Sequence, residues 1–172
     1  MRVASARFLT LLVSAWVSVA AAAELAVDRA AHELADAAPM RIRVSLSQRR
    51  LTVLEGGKAV KSYPIAVGRP SNPTPTGSYR TGRIVWNPGW VPPPRDWAKN
   101  MKPRAPGDPR NPMQGVKIYF REPWYYIHGT NDPASIGKAA SRGCIRMRPS
   151  DAIDLARRIQ RNGGSVPLVI VH

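Results

Sequence analysis

Residues 40–46 read Met40-Arg41-Ile42-Arg43-Val44-Ser45-Leu46, and the alternation is complete: Ile42, Val44 and Leu46 fall on one side, Arg41, Arg43 and Ser45 on the other. A repeat of two residues is the pleat of a strand with one buried face. Downstream, residues 51–54 and 59–67 flank Gly56-Gly57 and predict two strands joined by a tight turn. Residues 77–86, 116–120, 124–127 and 166–171 add four more short apolar stretches with turn residues between them. The fold class is therefore mostly β. A single helix is expected over residues 151–161, where Ala152, Leu155, Ala156 and Ile159 recur at helical spacing. Ser150 would be its N-cap, the basic Arg157, Arg158 and Arg161 suit its C-terminal end, and Gly163-Gly164 would stop it.

The composition supports one domain of ordinary core size: 172 residues, 44% hydrophobic and 22% charged, with 17 prolines. Eight of those prolines lie between Asn87 and Pro112, together with Trp90 and Trp97. A central strand cannot form there, so the stretch is a long loop that either contacts a ligand or docks as a lid. One cysteine excludes an intramolecular disulfide, and the widely separated His32, His128 and His172 exclude a zinc cluster of short spacing. No metal and no organic cofactor is expected.

The net charge of +15 sits in the body of the chain, where residues 41–172 carry 23 basic against 7 acidic side chains. Such a surface attracts polyanions: nucleic acid, anionic lipid, or a cell wall rich in carboxylate and phosphate. Nucleic acid is disfavoured because the basic residues are scattered and no recognition motif accompanies them. Residues 1–23 read as a secretory signal peptide: Arg2 and Arg7, then an apolar run, then Ala21-Ala22-Ala23. The run is too short to span a bilayer, so no stable membrane span is expected after cleavage. Residues 24–39 are an alanine-rich linker, and residues 40–172 the folded domain.

Two residues carry candidate chemistry. Cys144 lies in Ser141-Arg142-Gly143-Cys144-Ile145-Arg146-Met147, flanked by cations that would lower a thiol's pKa. The bland alternative is a buried structural cysteine. His128 follows the strand-like Trp124-Tyr125-Tyr126-Ile127 and enters a loop at Gly129-Thr130, where it could act as a general base for that thiol. Asp132, followed by Pro133, reads as a turn residue rather than a partner of the imidazole.

These stretches carry a resemblance. Ile127-His128-Gly129-Thr130, Ser141 to Met147, Thr74-Pro75-Thr76-Gly77 and Asn87-Pro88-Gly89-Trp90-Val91-Pro92-Pro93, in that family's arrangement, resemble the L,D-transpeptidase (YkuD-type) catalytic domain. The resemblance implies a β-sandwich with one helix in its C-terminal half and the proline-rich loop beside the active site. It implies Cys144 as nucleophile, His128 as base, and the Gly129 carbonyl as the group that holds the imidazole. The N–H groups of Gly143 and Cys144 would form the oxyanion hole, and Ser141, Arg142, Arg146 and Trp90 would line the substrate pocket. The implied reaction cuts the bond between the L-centre of a diamino acid and the terminal D-Ala of a peptidoglycan tetrapeptide, then passes the acyl group to an amine of a second stem to form a 3-3 cross-link. Carbapenems are expected to acylate the same thiol. One departure stands at Arg142, where the family motif usually has histidine; it bears on acceptor choice.

The same thioester could instead be resolved by water, making the protein an L,D-carboxypeptidase or amide hydrolase, or by a lysine of an envelope lipoprotein. A non-catalytic, basic cell-wall-binding module is the competing class, and a secreted nucleic-acid binder the weakest. The expected location is the periplasm or the cell wall.

Overall fold

The computed structural model describes residues 40–172; the expected signal peptide and linker lie outside the described residues. Eleven strands and one α-helix are present among them: β1 (Arg41–Ser45), β2 (Arg50–Glu55), β3 (Lys58–Pro64), β4 (Val67–Gly68), β5 (Gly77–Arg80), β6 (Ile84–Trp86), β7 (Gln114–Arg121), β8 (Tyr125–Gly129), β9 (Ala139–Ser141), β10 (Ile145–Met147), α1 (Pro149–Arg161) and β11 (Pro167–Val171). They form a five-stranded sheet in the order β3-β2-β1-β11-β5, a four-stranded sheet β10-β8-β7-β6, and the small pair β4-β9.

The alternation that opens the domain does what its period requires. Ile42 and Val44 are buried on the core face of β1, which pairs antiparallel with β2 and parallel with β11. Residues 77–86, read as one stretch, are split by Thr81-Gly82-Arg83 into β5 and β6, which belong to different sheets. Thr81 makes the corner: it is buried, its N–H donates to the Val166 carbonyl at 2.9 Å, and its hydroxyl accepts from the Val166 N–H at 2.9 Å. A chain that changes sheet must satisfy these backbone groups locally, and Thr81 does so.

The helix differs from expectation at its start. Pro149 occupies the first turn and Arg148 the N-cap position, so Ser150 lies inside the helix rather than capping it. Proline suits that turn because its missing N–H would have had no intrahelical partner. Ala152, Leu155, Ala156 and Ile159 are fully buried and join the two sheets in one apolar cluster. At the far end, Asn162 takes the cap position, and the Gly164 N–H reaches back to the Ile159 carbonyl at 2.9 Å with both Gly163 and Gly164 at positive φ.

A polar tie secures the helix to the larger sheet. The buried Tyr63 on β3 donates its hydroxyl to Asp154 at 2.6 Å, and Asp154 accepts from Arg158 Nε at 3.3 Å. Hydrogen bonding from Tyr63 holds the Asp154 carboxyl below its ordinary range. Tyr63→Phe is expected to cost about 1 kcal/mol, since it removes one charge-assisted bond while Asp154 keeps access to water and Arg158. The check is a urea midpoint that falls with no change in slope.

Candidate active site

The site is assembled on the outer face of the four-stranded sheet. Ile118 and Ile127 face one another across β7 and β8 and are buried in the core, so the intervening residues face outward: Lys117 opposite His128, and Tyr119 opposite Tyr126. On the other side of β8 the parallel strand β10 sets Arg146 beside His128. Lys117, His128 and Arg146 thus make a row across three strands. Sequence reasoning found the second and third; it missed Lys117 and Tyr126, because a lysine or tyrosine on the polar side of a strand reads as a solvated face.

His128 is buried, and its Nδ1–H donates to the Gly129 carbonyl at 2.9 Å. A carbonyl oxygen only accepts, so this bond fixes the proton on Nδ1 and leaves Nε2 as the basic atom. Burial pushes the imidazole pKa down to about 4; Arg146 and Lys117 push the same way, against the pull of the Gly129 and Pro112 carbonyls. The ring is neutral at pH 7, with a vacant lone pair for a proton.

Cys144 is half-buried in the turn between β9 and β10, and its thiol donates to the Trp124 carbonyl at 3.4 Å. The flanking arginines do not dominate it as expected. Desolvation pushes the Cys144 thiol up, outweighing the lowering influence of Tyr126 and the fields of Lys117 and Arg146. The Arg142 guanidinium stacks on the Trp97 ring, 3.9 Å from the centroid. Cys144 and His128 share neighbours, since Lys117 and Arg146 act on both. The Tyr126 ring lies 5.5 Å from the imidazole, and burial, with the nearby Cys144 sulfur adding to it, raises the phenol's pKa. The resting pair is therefore thiol and neutral imidazole.

The turn around the cysteine is held by Ser141. This buried side chain donates to the Cys144 carbonyl at 2.5 Å and accepts from the Gly143 N–H at 3.1 Å. The Ser141 hydroxyl, expected beside the substrate, and the Gly143 N–H, expected in the oxyanion hole, are thus bonded to one another within the loop. The Cys144 N–H meets no acceptor among the described residues. Gly143 sits at φ +107°, and a Cβ there would lie 3.0 Å from the Tyr125 ring, so glycine is required. Arg146 forms an ion pair with Asp132 at 3.6 Å, its backbone bridged to Ala66 on both sides. Asp132 itself accepts from Ser135 in a turn, as its sequence setting suggested.

Trp90, expected to line the substrate pocket, packs within the loop. It is buried inside the proline-rich loop and exchanges two backbone bonds with Arg104, at 2.9 and 2.8 Å. Asn111, wholly buried, completes that frame by donating to the Pro88 and Ala105 carbonyls and accepting from the Met113 N–H. The tryptophan that reaches the cysteine turn is Trp97. A cleft of about 430 Å³ lies within the loop, between Pro92 and Pro103, and not over Cys144. Among the described residues no group of His, Cys, Asp and Glu side chains could hold a metal ion, and no helix is long and apolar enough to cross a membrane.

Known proteins share both sequence and architecture. The sequence model of the L,D-transpeptidase catalytic domain (YkuD) matches residues 39–171. Two Bacillus proteins carrying the YkuD name, assigned to the L,D-transpeptidases, are similar: that of Bacillus licheniformis at 39% identity over 133 residues, covering 77% of this chain, and that of Bacillus subtilis at 37% over 130 residues, covering 76%. The matches span 67% and 66% of those relatives. Among solved structures, L,D-transpeptidase 3 from Mycobacterium tuberculosis is similar with a TM-score of 0.58 and 18% identity, over 78% of this chain and 61% of that one. The catalytic domain of the Enterococcus faecium L,D-transpeptidase gives 0.57 and 19%, over 77% and 96%. At these identities the structures speak for the fold.

Stability should report the buried imidazole. The unfolded ring binds its proton near pH 6.5 and the folded ring near 4, so the unfolded state holds more protons in between. This contribution is fully present above pH 6.5 and drains away as pH falls toward 4, roughly 3 kcal/mol in all. Urea unfolding at pH 7 and pH 4.5 should show that loss in the wild type and lack it in His128→Gln; equal pH dependence in both would mean the ring is not desolvated.

Proposed function

Because the chain belongs to the L,D-transpeptidase catalytic domain family, we propose that it is a periplasmic or wall-associated cysteine transpeptidase acting on peptidoglycan stem peptides. The observation that carries this reading is the buried, neutral His128, held through Nδ1 by the Gly129 carbonyl and sharing Tyr126, Lys117 and Arg146 with the one cysteine of the chain.

In the proposed first step, Nε2 of His128 takes the Cys144 proton while the sulfur attacks the carbonyl carbon at the L-centre of the diamino acid. The carbon–nitrogen bond to D-Ala breaks, His128 returns the proton to the departing nitrogen, and a thioester remains. An amine of a second stem then gives its proton to His128 and attacks the thioester; the carbon–sulfur bond breaks and the thiol is restored. The free Cys144 N–H is the donor for the oxyanion, and the Gly143 N–H joins it only on release from Ser141. A thiol and imidazole that are both neutral at rest suit such a cycle, since each charged form is disfavoured until substrate displaces water and supplies the developing oxyanion. No cofactor takes part. The excess of basic side chains favours an anionic wall polymer as the surrounding medium.

The test is incubation of the purified protein with a disaccharide tetrapeptide, with product masses followed beside Cys144→Ser and His128→Ala. Loss of D-Ala with a dimeric product in the wild type alone supports the transpeptidase; loss of D-Ala with a shortened monomer gives the carboxypeptidase instead. Wall binding without turnover, unchanged in Cys144→Ser and falling steeply with salt, would replace the enzyme by a basic binding module. The acid limb of kcat/KM should lie near pH 4, where the imidazole protonates, rather than near the ordinary histidine value of 6.5.

A further inference from the structure

Two cations act on both His128 and Cys144: Arg146 and Lys117. Arg146 is matched by Asp132. Lys117 is half-buried, yet no carboxylate lies within ion-pairing distance of it among the described residues. A lysine ammonium withdrawn from water normally has an anionic partner or yields its proton. Here it is framed by aromatic side chains instead. Nζ donates to the Tyr119 hydroxyl at 3.0 Å and lies 4.4 Å from the Tyr126 ring centroid and 4.9 Å from that of Tyr119. Arg83, on the other side of Tyr119, stacks on the same ring at 4.4 Å and is matched by Glu122 at 3.3 Å. Lys117 is thus a fixed ammonium with donor capacity left over, in a row where its neighbours' charges are satisfied.

Its position gives the identity of the missing anion. In the row across the sheet Lys117 stands directly opposite His128, at a separation of about 5 Å between Cβ atoms for such pairs. In the proposed reaction His128 returns a proton to the nitrogen of the departing residue. That residue carries a free carboxylate, whose carbon is two covalent bonds, about 2.5 Å, from the nitrogen. A nitrogen placed on His128 therefore brings the carboxylate into the reach of the neighbouring side chain. We propose that the Lys117 ammonium, held between Tyr119 and Tyr126, docks the terminal carboxylate of the stem peptide whose last residue leaves. This deepens the reading of the site as a transpeptidase and rests on it.

The assignment makes Lys117 a specificity-determining residue. A stem extended by another residue would place an uncharged amide at the ammonium, as would a stem amidated at its C-terminus; both would lose the ion pair. A substrate anion there also offsets the cationic field that adds to burial in keeping His128 neutral, so the imidazole gains basicity when the correct peptide is bound.

The experiment is a cycle between enzyme and peptide. Tetrapeptide stems ending in a carboxylate or a carboxamide are given to the wild type, Lys117→Met and Lys117→Arg, and kcat and KM are measured separately. The wild type should prefer the carboxylate by about tenfold or more, mainly in KM, as for a partly desolvated charge-assisted bond. Lys117→Met should not distinguish the two peptides, and Lys117→Arg should keep the preference. Each preference is a ratio within one protein, so partial misfolding of a variant cancels. Calorimetric binding of the same peptides to Cys144→Ser, with and without Lys117→Met, reads the coupling without turnover. A carboxylate preference that survives Lys117→Met, or none in the wild type, overturns the assignment. Binding coupled to Lys117 in a protein that turns over neither peptide would uphold it and remove the transpeptidase reading instead.

Discussion

The parallel pairing of β8 with β10 is the constraint on which the site depends. It sets Ile127 against Ile145 in the core and His128 against Arg146 on the other face, so a shift of one residue would turn the histidine side of the strand into the apolar core and the isoleucines out of it. Such a slip is costly because both isoleucines are fully buried. Gly129 guards the same register. A Cβ on it would stand 2.1 Å from the Gln114 carbonyl oxygen and 3.0 Å from the Pro149 Cα, so only glycine lets β7 and the helix start close on the end of β8. The carbonyl that orients His128 belongs to this same residue, and the packing of the sheet and the tautomer of the imidazole therefore have one cause.

Burial at this place has opposite effects on the two reacting groups in sign but not in consequence. It lowers the imidazole and raises the thiol, and each shift favours the uncharged form. The cations on the outer face act against a charged imidazole and in favour of a thiolate, so their effect alone does not produce a stable ion pair. A preformed thiolate would be more reactive toward any electrophile, whereas a neutral pair becomes nucleophilic only as the proton moves. The geometry thus ties reactivity to a substrate that completes the electrostatic surroundings.

The sequence was legible where periodicity and burial coincide. Ile42 and Val44 on β1, and Leu155 and Ile159 on the helix, are core residues because their spacing leaves no other face for them. The hydrogen bond between His128 and the Gly129 carbonyl was legible through motif context. The three-residue strands β9 and β10 were not, since pairing partners rather than propensity decide whether so short a segment is extended. The bond between Ser141 and the Gly143 N–H was not legible, because a loop motif shows which groups are near the nucleophile and not which are bonded to one another. The packing of Trp90 was not legible for a related reason: a large aromatic residue in a proline-rich loop has as much to gain from packing the loop as from a ligand, and Trp90 is 7% exposed.

Arg142 is where that loop and the nucleophile turn meet. Its guanidinium lies over Trp97, while Arg95 of the loop lies 5.7 Å from the Trp124 ring, whose backbone carbonyl accepts the Cys144 thiol. The loop therefore touches both shoulders of the cysteine through stacked cations, each contact worth about 0.5–1 kcal/mol at exposed sites. Its base is held by the wholly buried Asn111 and the Trp90–Arg104 bridge, which are stronger ties. The Trp97 end is the weakly secured one, and it is the end that borders Cys144. An arginine at position 142 consequently serves the loop more than the thiol: partial desolvation and the nearby Arg69 and Arg146 depress its pKa, and the indole face compensates by offering a cation-binding surface that carries no charge to disturb the row beneath.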